Sequence, residues 1–147
     1  MKTTIAVVNG PNLGRLGRRE PGIYGHQSWE DIWQELVTSF PEIQLESFQS
    51  NHEGALIDYI EQLLDRAVSG LVLNPGALAH QSYALRDCLK AAGLPVVEVH
   101  LSNVHAREAF RATSLISPVV WGQIAGLGPL GYHLAIEALA RHQGVSS

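Results

Sequence analysis

At 147 residues, 46% apolar and 16% charged, the chain is long enough for one domain with its own core and too apolar to stay disordered. A formal net charge of -4 argues against general nucleic-acid binding, which needs a basic face to displace counterions, yet leaves room for a local basic pocket. A single cysteine, Cys88, excludes an intrachain disulfide framework and a cysteine-based zinc cluster.

Met1-Lys-Thr-Thr4 runs into the first strand without a signal-peptide pattern, and no apolar run approaches the ~20 residues of a membrane span. A soluble, cytoplasmic chain with no membrane partner is expected. Ile5-Ala-Val-Val8 is a short β-branched run bounded by Asn9-Gly10-Pro11, the pattern of a buried strand. Residues 9–25 then gather three arginines, five glycines, a glutamate and Tyr24 into a stretch that cannot form a helix of normal length. Ser28 is placed to cap a helix with Trp29, Ile32, Trp33, Leu36, Val37 and Phe40 at helical spacing, ended by Pro41.

Residues 43–48 alternate apolar and polar, as a half-buried edge strand does. Ser50-Asn-His-Glu53 has capping-box spacing and opens a helix with Leu56, Ile57, Ile60, Leu63, Leu64 and Ala67 on one face. A third strand, Gly70 to Asn74, closes at Pro75-Gly76. The next helix is predicted from about His80 to Ala92, stopped by Gly93 and Pro95. Residues 96–100 form a fourth strand, followed by a helical patch around 106–110. Residues 119–124 suggest a fifth strand, weakened by Gly122, and residues 130–141 a last helix.

Strands alternating with helices imply a parallel sheet covered on both faces, and five strands suggest an α/β flavodoxin-like doubly wound sheet in a single domain spanning 1–147. In such sheets the ligand sits beyond the carboxyl ends of the strands. There the chain puts Asn9 and Asn12 after strand one, Asn74 at strand three and His100 at strand four, followed by Ser102, Asn103, His105, Arg107 and Arg111. This edge is the candidate site. The acid pair of a phosphoacceptor domain and a P-loop are both missing. Gly126-Leu-Gly-Pro-Leu-Gly131 fits G-x-G-x-x-G, but no acid or strand follows at the required distance, so it reads as a tight turn into the last helix. His100 and His105 lack an obvious third ligand for a metal.

Asn9-Gly-Pro-Asn-Leu13, Gly17, Arg19-Glu-Pro21 and Tyr24-Gly25 resemble the opening motif of the type II 3-dehydroquinate dehydratases. Gln49-Ser-Asn-His-Glu-Gly54, Asn74-Pro-Gly-Ala77 and the run from Glu98 to Glu108 are similar to that family's later motifs, in the same order along almost the whole chain. The resemblance implies removal of water from 3-dehydroquinate to give 3-dehydroshikimate through an enolate, with no metal or organic cofactor. It assigns Tyr24 as base, held as phenolate by Arg19 and Arg107 although a free phenol titrates near ~10. His100 corresponds to the general acid; Glu98, two residues earlier, shares its strand face and would orient it.

Asn12 corresponds to a residue that positions a water at the enolate oxygen, Asn74 and His80 to hydroxyl contacts, and Arg111 to a ring-hydroxyl contact. The amides of Leu101 and Ser102, with the Ser102 hydroxyl, correspond to a carboxylate cradle. Asp87 corresponds to a residue reaching a neighbouring subunit's substrate, which implies a homododecamer built from trimers. Gly14-Arg15, Arg18 and Leu78 depart from the common pattern, and Gly14-Arg15 implies a looser loop and weaker substrate binding. The type I route, a lysine Schiff base on a barrel of ~250 residues, does not fit a chain with only Lys2 and Lys90. The competing reading is a non-catalytic binder of small hydroxylated acids, which needs no base and acid.

Overall fold

The computed structural model describes residues 2–16 and 27–144. Strands β1 (Thr3–Asn9), β2 (Ile43–Gln49), β3 (Gly70–Asn74), β4 (Val96–His100) and β5 (Gly122–Ala125) form one sheet in the order β2-β1-β3-β4-β5. Every pairing is parallel. This is the flavodoxin-like order expected for strands joined by helical crossovers.

Among the described residues, four α-helices cover the sheet: α1 (Trp29–Ser39), α2 (Glu53–Leu64), α3 (Tyr83–Ala92) and α4 (Leu130–His142). Side-chain alternation along the strands sorts them into two cores. Ile5, Val7, Val72, Val97 and Val99 pack with Ile32 and Leu36 of α1 and with Ile136 and Leu139 of α4. Ala6, Val8, Leu71, Leu73 and Val96 face the other way, onto Leu56 and Ile60 of α2 and Leu85 and Leu89 of α3. Central strands buried on both faces explain the near-continuous apolar runs of β1, β3 and β4.

Several boundaries differ from the sequence reading. Helix α2 stops at Leu64, short of Ala67, and Leu64 is itself exposed. The capping box before α2 does not form. Ser50 instead takes the His52 amide at 3.0 Å, and the Glu53 carboxylate accepts the Ser82 hydroxyl at 2.5 Å, tying α2 to α3. Helix α3 starts at Tyr83 rather than His80, because Gly76–His80 is a 3-10 turn and Ser82 caps the helix by accepting the Leu85 amide at 2.9 Å. It ends as expected, at Gly93 with φ 66°. The patch around 106–110 is two 3-10 turns, Val104–Ala106 and Ala109–Ala112. Strand β5 begins at Gly122, because Ser117–Val119 forms a further turn around Pro118.

Two close approaches shape the carboxyl edge of the sheet. The Gly10 amide donates to the Asn74 carbonyl at 2.7 Å, and a Cβ on Gly10 would lie 2.5 Å from the Pro75 carbonyl oxygen. The ends of β1 and β3 therefore touch. On the far side, Gly126 and Gly128 adopt φ 87° and 60°, and their amides donate to the carbonyls of His100 and Leu101. The G-x-G-x-x-G run is thus the expected turn into α4, and it also clips the end of β4.

Candidate active site

The cleft at this edge is lined by Asn12, Asn74, His80, His100, Leu101, Ser102, Arg107 and Arg111, together with Arg15, Leu13 and Leu16 from the segment after β1. Eight of the predicted site residues therefore meet in one place, drawn from the ends of β1, β3 and β4 and from the turns after them. Glu98 sits behind His100. Asp87 lies outside the cleft on α3, its side chain 73% exposed. Tyr24 and Arg19 lie outside the described residues. Of the departures noted in the sequence, Arg15 faces the cleft, and a side chain at Gly14 would press against the Gln49 amide.

Strand parity decides what each side chain reaches. Glu98 and His100 alternate with Val97 and Val99 and so share the face covered by α2 and α3. Glu98 is fully buried, and its Oε2 lies 2.5 Å from His100 Nε2. Ser117 donates to Oε1 at 2.8 Å and Ser114 to Oε2 at 2.9 Å. Burial pushes the Glu98 carboxyl up, but the hydrogen bond and charge of His100 and the two serine hydroxyls outweigh it. The carboxyl is held below its usual range.

Asn9 and Asn74 are register partners on the opposite face. Between them stands Tyr132, fully buried in the first turn of α4. Its hydroxyl donates to Asn9 Oδ1 at 2.7 Å and accepts from Asn74 Nδ2 at 2.9 Å. Asn74 Oδ1 takes the Gly76 amide at 3.2 Å, so both ends of that amide are held while the residue still borders the cleft. Burial raises the Tyr132 hydroxyl far above the ordinary phenol range, and it remains a neutral hydrogen-bonding group.

Asn12 has φ 70°, a left-handed conformation that asparagine tolerates better than most residues. Its amide donates to Asn51 Oδ1 at 2.9 Å, and Gln49 Nε2 reaches both Asn51 Oδ1 and the Gly10 carbonyl at 3.2 Å. The Gln49 to Asn51 segment thereby fastens the chain after β1.

His80 Nδ1 lies 2.8 Å from the Thr113 carbonyl. Arg107 donates to the Ser102 hydroxyl at 3.3 Å, while Arg111 pairs with Glu108 at 2.8 Å and lies over the Phe110 ring. Among the described residues, the amides of Leu101 and Ser102 donate to no protein acceptor. They stand beside these guanidinium groups, an arrangement suited to a carboxylate.

Ser114, Ser117 and Tyr132 were absent from the sequence-derived site, and Asn9 was placed at its edge but given no role. Asn9 follows a strand, as the chosen asparagines do. The serines and the tyrosine carry no local signal, because their partners lie 16 or more residues away.

Fold and cleft define a doubly wound α/β protein with an arginine-bordered cleft at the carboxyl ends of its strands and a carboxylate-backed histidine in its wall. A family model described as dehydroquinase class II matches residues 3–140. The 3-dehydroquinate dehydratase of Bacillus subtilis (strain 168) is 55% identical over 144 residues, covering 96% of each chain. That of Halalkalibacterium halodurans is 54% identical, covering 92% of this chain and 94% of the relative. The crystal structure of type II dehydroquinase from Butyrivibrio crossotus superposes with a TM-score of 0.92 at 45% identity, over 94% of this chain and 97% of that one. The type II dehydroquinase from Propionibacterium acnes gives 0.91 at 43% identity, over 96% and 98%. The chain belongs to the class II dehydroquinase family.

Proposed function

We propose that this chain dehydrates 3-dehydroquinate to 3-dehydroshikimate by an enolate mechanism, with Tyr24 as base and His100 as acid. Tyr24, as phenolate, takes the proton beside the ketone, and the electron pair moves onto the carbonyl oxygen. When the pair returns, a carbon–carbon double bond forms and the bond to the β-hydroxyl breaks. His100 supplies the proton with which that hydroxyl leaves as water. Arg19 and Arg107 hold the phenolate ionised, since a guanidinium adds positive charge without competing for the proton. Asn12 positions a water at the enolate oxygen.

Asn74, His80 and Arg111 take substrate hydroxyls, and the Leu101 and Ser102 amides with the Ser102 hydroxyl take its carboxylate. Subunits assemble as a homododecamer built from trimers in the cytoplasm, with Asp87 reaching the neighbouring subunit's substrate. The exposure of Asp87 on α3 supports that placement.

The observation that carries this reading is the 2.5 Å contact between His100 and a fully buried, ionised Glu98, at a cleft bordered by Arg107 and Arg111. A buried carboxylate behind an imidazole takes one ring N–H and fixes the ring's orientation, which positions it as the acid for a leaving hydroxyl. The test follows the absorbance of the conjugated product after addition of 3-dehydroquinate in the presence of chelator. Wild type is expected to turn over, and Tyr24→Phe and His100→Ala to lose at least about a hundredfold in kcat while still binding substrate. Substrate binding without turnover in wild type would replace this reading with that of a non-catalytic binder.

A further inference from the structure

Both histidines of the cleft are held from behind by one short segment, residues 113–117. The Thr113 carbonyl contacts His80 Nδ1 at 2.8 Å, and the Leu115 amide donates to the Ala79 carbonyl at 2.7 Å. Ser114 and Ser117 each donate to Glu98, and the fully buried Ile116 between them anchors the segment in the core. The two imidazole rings lie 6.2 Å apart and nearly parallel.

Donor and acceptor counting turns this geometry into chemistry. A carbonyl oxygen only accepts, so His80 Nδ1 carries the proton and its Nε2 is left for the cleft. The Ser114 oxygen accepts the amides of Ile116 and Ser117 at 3.1 Å each, which fills its lone pairs and sends its proton to Glu98. With the Ser117 hydroxyl on the other oxygen, Glu98 receives a hydroxyl proton at both ends. That arrangement stabilises the ionised carboxylate. The proton in the 2.5 Å contact then belongs to His100 Nε2, and Nδ1 is the nitrogen through which the ring exchanges protons with the cleft.

We propose that Ser114 and Ser117 are positioning residues for the elimination, fixing Glu98 as an anion that keeps one proton of His100 on Nε2, so that Nδ1 carries the second proton of the acid form to the leaving hydroxyl and is the nitrogen left bare when the ring is neutral. The proposal rests on the reading of His100 as the acid. It assigns a task to residues that touch neither substrate nor the reacting atoms. Ser117 is the cleaner probe, because among the described residues its hydroxyl bonds only to Glu98, whereas Ser114 also closes a backbone turn.

The experiment has two arms. In the first, the 15N spectrum of histidine-labelled, substrate-free enzyme is recorded at a pH where the His100 ring is neutral, with His100→Gln identifying its signals. Wild type is expected to show a protonated Nε2 and a bare Nδ1. A neutral ring protonated at Nδ1 overturns the proposal without any serine variant. In the second arm, Ser117→Ala is expected to mix the two tautomers and to lower kcat about tenfold, with KM within about twofold of wild type, the size of one hydrogen bond to a charged group.

Ser117→Thr, which keeps the hydroxyl, is expected to restore both. Unchanged kcat and an unchanged spectrum in Ser117→Ala, or a loss confined to KM or to thermal stability, would refute the positioning role. Wild-type enzyme without dehydratase activity would sink the functional reading alone, since the spectral arm needs no turnover.

Discussion

Tyr132→Phe removes one oxygen from the centre of the fold and leaves the ring in place, still packed edge-on against Trp29 at 5.1 Å. The lost hydroxyl donates to Asn9 and accepts from Asn74, and those residues are only 1% and 3% exposed. Water cannot readily replace the missing partner. The two buried amide groups left unmatched cost about 1–2 kcal/mol each, so the variant is expected to lose about 2–4 kcal/mol. For a domain of this size that corresponds to a Tm lower by roughly 5–15 °C. Urea unfolding at fixed protein concentration, followed by tryptophan fluorescence, would show an earlier midpoint with an unchanged slope. KM should rise as well, because the Asn74 amide loses the partner that fixes its orientation. A midpoint shift worth less than about 0.5 kcal/mol would refute the reasoning, for then the relay joining β1, β3 and α4 does not act as a unit.

Stability should also depend on pH through Glu98. Its carboxyl titrates lower in the folded chain than the ordinary 4.5. Its contribution is therefore fully present above about 4.5 and disappears as pH falls through the lower folded value. Denaturation curves across that window should be steeper in pH for wild type than for Glu98→Gln, with the remaining slope owed partly to Glu46, whose bond to Arg66 also lowers its carboxyl. Equal slopes would contradict the assignment. Gly10→Ala would put a methyl 2.5 Å from the Pro75 carbonyl oxygen and 2.8 Å from its carbon, both main-chain atoms that cannot swing aside. A loss of about 1–3 kcal/mol by urea unfolding is expected, with a higher KM as the loops carrying Asn12 and Asn74 are pushed apart. An alanine variant as stable as wild type would show that the strand ends give way freely.

Much of this molecule was legible in its sequence for local reasons. Burial has a period of two in strands and 3.6 in helices, so the runs at β1, β3 and β4 and the stripes on α1 and α2 announced which faces would pack. The same parity put Glu98 and His100 side by side, and the rule that ligands sit beyond strand ends gathered Asn12, Asn74 and the residues after His100. The misread boundaries were also local in origin. The stretch from Gly76 to Gln81 and the turn at Ser117–Val119 carry residues compatible with helix or strand, and only the 3-10 hydrogen bonds that close there decide against them.

The tertiary structure alone decided how the site is held. Tyr132 meets Asn74 across 58 residues and Asn9 across 123, and Ser117 meets Glu98 across 19. No periodicity encodes such partnerships, because an isolated polar residue in a helix or a turn looks the same whether it faces water or a buried carboxylate. Ser50 and Glu53 show the converse, since their spacing suggested one another while packing gave each a different partner. Chain order and hydrophobic period determined the sheet and the edge where chemistry gathers. Which donor meets which acceptor there was settled only when α4 and residues 113–117 came to rest against strand ends far away in the chain, where burial made every unmatched polar group costly.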